Sequence, residues 1–367
     1  MKLGIALFSE ELISIELGQK EAASYPKNST AVDLCIHYAT DGVNLIYLRL
    51  HPNKQIEWLT AAHQRAAKLK NTRVEAVILS AFGVAYTTLG DSYKALYYFK
   101  KALKIFTFVN DYQSQGRALG DIGVIDKNIG KIGEAKKAYQ KAIQIFHTVG
   151  NQKDEAIALG NLGIIHKNLG EYETAIAYYD AQLDLAKKIG NRVIESNALG
   201  NLSIAYKHLG NLEKSLASCD EHLHLTREIN YKLGEGAALN NRAEIFLLVN
   251  DFANAITIFE QALQIFHKLG EKRLESVSLD GLGNAFLSIG QLSDAERCFR
   301  SELQVAQEID YPNQEADAWW NLSQLSYKQG LPEEAFEMAK KAREIYKSIS
   351  SPTENKISQT LLTWQNQ

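Results

Sequence analysis

Residues 151–190 read NQKDEAIALGNLGIIHKNLGEYETAIAYYDAQLDLAKKIG, and the same pattern returns one 40-residue step later, at 191–230, and one step earlier, at 111–150. Counted outward, units begin at Asn71, Asp111, Asn151, Asn191, Tyr231, Glu271 and Tyr311. A fixed period in this range marks a solenoid, because a unit that cannot bury its own apolar face must stack on its neighbours. Length therefore does not translate into a count of ordinary globular domains.

Each unit reads as two helices. In the first, Ala156, Leu159, Leu162, Gly163, Ile165 and His166 recur at three- and four-residue steps, as one helix face does. Gly170 closes it, since glycine takes the left-handed backbone that ends a helix. It recurs as Gly90, Gly130, Gly210, Gly290 and Gly330, with Asn250 the one substitute. In the second helix Ala175, Ile176, Tyr179, Leu183, Ala186 and Ile189 form the apolar stripe. The Ala175 place holds only Ala or Ser (Ala95, Ala135, Ser215, Ala255, Ala295, Ala335), which predicts two helix backbones crossing closely. The fold class is all-α.

The pattern L-x-x-L-G, a glycine turn, then A-x-x-x-Y/F-x-x-A/Q-L resembles the tetratricopeptide repeat, and all seven units over 71–350 fit it. The resemblance implies a right-handed superhelix, an α-solenoid. The usual period is ~34 residues; the six additional residues here lengthen each helix by nearly one turn. In this form, with Gly160-Asn161-Leu162-Gly163, the chain looks like spindle-orientation adaptors of the Pins type. It also looks like the repeat arms of bacterial signal-transduction ATPases.

The flanks are less regular. Residues 1–70 read as a degenerate segment: a helix over 3–24, a break at 25–28, and a helix to about residue 50. A turn is expected at His51-Pro52-Asn53, then a helix over 55–70 with Trp58, Leu59, Ala62, Ala66 and Leu69 on one face. Glu57-Trp58-Leu59 and Ala66-Ala67-Lys68-Leu69 resemble the entry into the repeat arm of NB-ARC-type ATPases of the STAND class. The phosphate loop Gly-x-x-x-x-Gly-Lys-Ser/Thr is not in this sequence. The resemblance thus implies a sensor arm without its motor, with an ATPase domain as a possible partner. Ser351-Pro352-Thr353-Glu354 opens a last helix in 351–367, expected to lay Leu361, Leu362 and Trp364 over the seventh unit.

A net charge of −3 with 23% charged residues gives no reason to expect nucleic acid or anionic membrane as a partner. The apolar start stops at Phe8, before Glu10 and Glu11, too short for a signal peptide or a span. Cys35, Cys219 and Cys298 are far apart, and the latter two fall in adjacent places of the frame, so they read as reduced core fillers of a cytoplasmic protein. The nine histidines include no His-x-x-x-His pair, and His222 and His224 lie on different helix faces. The expectation is a protein that is not an enzyme, with no cofactor and no metal.

In tetratricopeptide arrays the first helix of each unit lines the inner side, and the resemblance places ligand-facing residues there. One row is Asn161, Asn201 and Asn241, with Asn321 in the last unit; a second is Val124, Ile164 and Ile204. A third is Lys127, Lys167 and Lys207, and a fourth Asn128, Asn168 and His208. Later units give a mixed lining that includes Arg242 and Trp320. Amides pair with the backbone of an extended peptide without reading its sequence, aliphatic groups add apolar contact, and lysines favour acidic residues. The expected partner is a protein or peptide with an extended acidic and hydrophobic segment. Each row has a plainer alternative: amides tying neighbouring repeats, solvated lysines, aliphatics covered by the next helix, and Trp320 packed on the cap. Two other functions stay open, a peptide- or small-molecule-sensing receptor and a self-associating scaffold.

Overall fold

The computed structural model describes residues 17–21, 24, 51–69 and 72–365. Residues 17–21 and 24 are helical; the rest of the expected helices before residue 50, and Cys35, lie outside the described residues. The chain divides into two compact units, Met1–Ile189 and Gly190–Gln367. No strand occurs among the described residues.

The first unit holds α1 (Pro52–Leu69), α2 (Thr72–Thr88), α3 (Ser92–Phe108), α4 (Tyr112–Asn128), α5 (Ile132–Val149), α6 (Gln152–Asn168) and α7 (Tyr172–Lys188). Each helix packs on its neighbours in sequence, and the first helices of repeats 2 and 3, α4 and α6, also touch directly. The second unit holds α8 (Arg192–His208), α9 (Leu212–Glu228), α10 (Lys232–Leu248), α11 (Phe252–Leu269) and α12 (Lys272–Ser288). It continues with α13 (Leu292–Glu308), α14 (Pro312–Lys328), α15 (Pro332–Ser348) and α16 (Thr353–Gln365). Here too each helix packs on its sequence neighbours, and the first helices α8, α10, α12 and α14 touch in succession.

The helices start and stop where side chains satisfy their ends. Asp91, Asp111 and Asn151 accept from the backbone N–H three residues on, as Asn191, Asn211 and Asp251 do in the second unit. The closing glycines take positive φ, +78° at Gly170, and Asn250 takes +62° in the same role. Ala95, Ala135, Ala175, Ser215, Ala255, Ala295 and Ala335 are fully buried, as the close crossing requires.

That crossing is a knob in a hole. A Cβ on Gly83 would lie 2.6 Å from Phe99, on Gly163 2.5 Å from Tyr179, and on Gly283 2.5 Å from Phe299. Where serine replaces that glycine, the second-helix residue shrinks, whereas Ala243 still faces Phe259. Ser203 faces Cys219, its Oγ 2.7 Å from the thiol sulfur, and Ala339 stands in the Tyr179 place where Ser323 replaces glycine. Cys219 and Cys298 are buried and free, and burial pushes both thiols up to about 11, which keeps them unreactive.

Two boundaries differ from expectation. Pro52 opens α1 rather than a turn, because proline fits the first helical position; the His51 carbonyl accepts from Lys54 N–H at 2.8 Å. In α16 the covering residues are Ile357 and Leu361, 0% and 4% exposed, while Leu362 is 61% exposed. Ile357 and Leu361 are one turn apart on one face, and Leu362 is rotated ~100° away from it.

Candidate peptide-binding surface

In the first unit α4 and α6 carry the expected rows. Val124 is half-buried against the core cluster that contains Leu119, Tyr139 and Leu162, and Ile164 is half-buried. Lys127 and Lys167 are half-buried, Asn128 and Asn168 exposed. Asn161 is half-buried, and its amide makes no hydrogen bond with the protein. Beside them is a residue the sequence rows passed over, Asp121, which stands in the Asn161 place of repeat 2. Burial, with Asp154 nearby, raises its carboxyl to about 6 against the opposing pull of Arg117. Ties between first helices sit near their starts: Arg73 donates to Asp111 at 2.7 Å and Arg117 to Asp154 at 2.8 Å.

In the second unit Asn201 and Asn241 are likewise half-buried with no hydrogen bond to the protein, and Ile204 is half-buried beside them. Lys207 is not open: it donates to Glu244 of the next first helix. His208 is exposed. Arg242 lies 3.3 Å from Asp220 and over the Phe246 ring. Trp320 is half-buried and stacks on Trp364 of α16, centroids 6.1 Å apart.

The second unit also carries a polar network that sequence reasoning missed. Asn240 donates to Glu244 at 3.0 Å and accepts from Ser278 at 2.7 Å. Asn321 donates to Asp280 at 2.6 Å, and Asn284 donates to the same carboxylate at 3.0 Å. Burial and then the neighbouring Asp317 push Asp280 up to about 7, against the hydrogen bonds it accepts. Glu302, fully buried, accepts from Gln314 at 3.0 Å; burial and Asp280 push it up to about 10, so it stays protonated at neutral pH. Asp317 is also raised by burial and accepts from the Tyr346 hydroxyl. His222, buried opposite Gly200 and 3.0 Å from Ser196 Oγ, is lowered to about 4 by burial and is neutral. The signal for these ties was a polar pair on successive first helices, 37, 38 and 41 residues apart: Lys207 and Glu244, Asn240 and Ser278, Asp280 and Asn321.

Among the described residues no cluster of three His, Cys, Asp or Glu is arranged to hold a metal, and no helix is long and apolar enough to cross a membrane. The two surfaces offer amides, aliphatic groups and a few cations along helix faces.

Several solved structures have this fold. The apo form of RapI superposes with a TM-score of 0.63 at 14% identity, over 75% of this chain and 98% of that one. The apo quorum sensor NprR from B. thuringiensis gives 0.61 at 18% identity, covering 83% of each chain. A signal transduction ATPase with numerous domains from Pyrococcus horikoshii, which has a tetratricopeptide repeat sensor, gives 0.63 at 15% identity over 95% of this chain. The present chain spans 54% of the length of that protein. No curated protein sequence matches the chain. Profiles of the tetratricopeptide repeat match residues 74–147, 154–225, 234–308 and 281–348, well over half of the sequence. The chain belongs to the tetratricopeptide repeat family.

Proposed function

We propose that the chain is a non-catalytic protein-interaction module, an adaptor or sensor arm, whose first helices capture an extended acidic and hydrophobic segment of a partner. The observation that carries this is the set of unspent amides. Asn161 in one unit, and Asn201 and Asn241 in the other, are half-buried yet bond to nothing in the protein. Their polar atoms still reach solvent, so a ligand can take the place of water on them without breaking any bond of the fold. An extended segment supplies such groups at every residue. Val124, Ile164 and Ile204 offer apolar contact beside the amides, and Lys127, Lys167, Asn128 and Asn168 offer donors. Lys207 and Arg242 already face Glu244 and Asp220, so of the expected cations it is Lys127 that is favoured to meet an acidic residue of the segment. Trp320 and His208 add an aromatic and a titratable contact in the second unit. The Glu57-Trp58-Leu59 entry supports an ATPase domain of the STAND class as one partner.

The test is selection from a random displayed library of 16-residue peptides against the full chain, with Asn161→Leu/Asn201→Leu/Asn241→Leu as the counter-target. Clones rich in Asp, Glu and aliphatic residues that the variant fails to retain are expected, and their binding should weaken with salt as the lysines are screened within ~8 Å. A library in which no clone separates chain from variant overturns the reading.

A further inference from the structure

The outward face of repeat 1 departs from the rest of the array. Along α3, Tyr93, Tyr97, Lys101, Lys104 and Phe108 follow at steps of three and four residues and share one helix face. Tyr93 is 74%, Tyr97 52% and Phe108 80% exposed. The same places hold Gly133, Lys137, Lys141, Gln144 and Thr148 in repeat 2. In repeat 3 they hold Glu173, Ala177, Ala181, Asp184 and Lys188. The fold does not ask for aromatic residues there, since five neighbouring polar or small residues serve the same helix positions elsewhere. Contiguous exposed apolar surface of this kind marks an interaction site.

Beside the stripe lies a cavity of about 690 Å³ between α1, α2 and α3. Its α1 wall is Ile56, Thr60 and His63, its floor Glu75, Leu79, Phe82 and Tyr86, and its α3 wall Tyr97, Lys101, Lys104 and Phe108. Each set steps by three or four residues, so three helices present rows of side chains to one groove. The floor is already ordered: Tyr98 stacks on Phe82 at 4.9 Å and on Tyr86 at 5.3 Å, and meets Tyr97 edge-on. The charge is one-sided. Glu75 is matched by His63 at 3.7 Å, whereas α3 carries Lys94, Lys100, Lys101 and Lys104 and no acid. Lys94 pairs with Asp91, Lys100 lies near Asp126, and Lys101 sits 4.5 Å over the Tyr97 ring, which leaves Lys104 facing outward without an acidic partner.

We propose that this groove is a docking site, separate from the amide-bearing surface of the later first helices, for an acidic amphipathic helix of a partner protein. Its apolar side chains would enter the aromatic cavity, and its carboxylates would meet Lys101 and Lys104. The stripe from Tyr93 to Phe108 runs ~22 Å at ~1.5 Å per residue, about four turns, longer than a small ligand covers. The three- and four-residue stepping of all three walls matches the anchors of a helix laid in a groove. A concave floor suits a helix better than a flat lipid surface.

The same displayed library tests this with Tyr97→Ser/Lys101→Glu/Lys104→Glu as the counter-target; all three side chains are exposed, and circular dichroism checks the fold. Expected are clones with Asp or Glu and Leu, Phe or Trp recurring at helical spacing, whose synthetic peptides bind the variant at least about tenfold more weakly. The Lys101→Glu/Lys104→Glu variant alone should select basic helical clones instead. A library in which no clone separates chain from variant, or in which the clones that do so are basic or proline-rich, overturns the proposal. So does co-sedimentation of the native chain, but not the variant, with phosphatidylserine–phosphatidylcholine vesicles, which would assign the stripe to a membrane surface. The Asn161→Leu/Asn201→Leu/Asn241→Leu variant should retain these clones, so either surface can fail while the other stands.

Discussion

Repeats 1–3 and repeats 4–7 are cut to one frame, yet they use the polar side chains of their first helices differently. In the first unit, the ties from first helices to the next repeat sit at helix starts, Arg73 to Asp111 and Arg117 to Asp154. The second has such a tie too, Arg273 to Tyr311, and adds others at mid-helix, through Lys207 to Glu244, Ser278 to Asn240 and Asn321 to Asp280. The tenth place of the frame accounts for part of the difference, although Gly200 of repeat 4 keeps the glycine. It is Gly120 and Gly160 in the first unit, and the space over Gly160 is filled by Gln182. In the second unit it becomes Asn240 and Asp280, side chains long enough to bond to the neighbouring first helix. One backbone design thus supports both an open amide surface and a self-satisfied network, and a few residues decide which. Low dielectric makes such a network strong when complete and costly when broken.

The largest expected effect tests what the units share. Tyr179→Ala in the first unit and Phe299→Ala in the second each remove a fully buried knob seated on a glycine. Each should cost about 3–5 kcal/mol in denaturant unfolding. A cost confined to one unit would mean that the common frame does not give a common core.

Next in size is a pH effect that should separate the units. The Asp280 carboxyl sits at about 7 in the folded chain, against ~3.9 unfolded. Between those values the folded state holds a proton that the unfolded state has released, so stability is full below ~4 and falls as pH rises towards about 7. Glu302, at about 10, extends the same fall into alkaline pH. In the first unit Asp121, at about 6, acts in the same sense over a narrower window. Amide exchange, corrected for its intrinsic pH dependence, should show α12–α14 losing more protection than α4–α6 between pH 5 and pH 8. Asp280→Asn should flatten the difference; an unchanged profile in that variant would place the proton elsewhere.

The period made the architecture legible. It assigned hairpin lengths, turn glycines such as Gly170, the close crossing at Ala175 and the burial of Cys219, all of which depend only on a residue's own repeat. The network was not legible, because a residue pair such as Asp280 and Asn321 joins two repeats and depends on their lateral offset. The knob-and-hole exchange at Ser203 and Cys219 was hidden for a related reason: neither residue looks unusual until the two are seen to face each other. The cap erred by one residue at Leu362, where sequence gives hydrophobicity but the helix phase decides which neighbour is covered.

The sharpest comparison, and the smallest effects, lie at one place in the frame. Asn321 is buried and donates to Asp280, so Asn321→Leu removes one of the two side-chain hydrogen bonds that this carboxyl accepts and should cost about 1–3 kcal/mol. Asn161 stands in the equivalent place of repeat 3 but donates to nothing. Asn161→Leu should therefore change unfolding free energy by no more than about 0.5 kcal/mol. Measured side by side by urea titration, the two substitutions separate an amide that holds repeats together from one kept for a ligand. If Asn161→Leu costs as much as Asn321→Leu, its amide does structural work in the folded chain and the first-helix surface loses its strongest support. If it costs nothing and the selected peptides still bind, the amide serves neither the fold nor the ligand, and the proposed surface must be sought on another row.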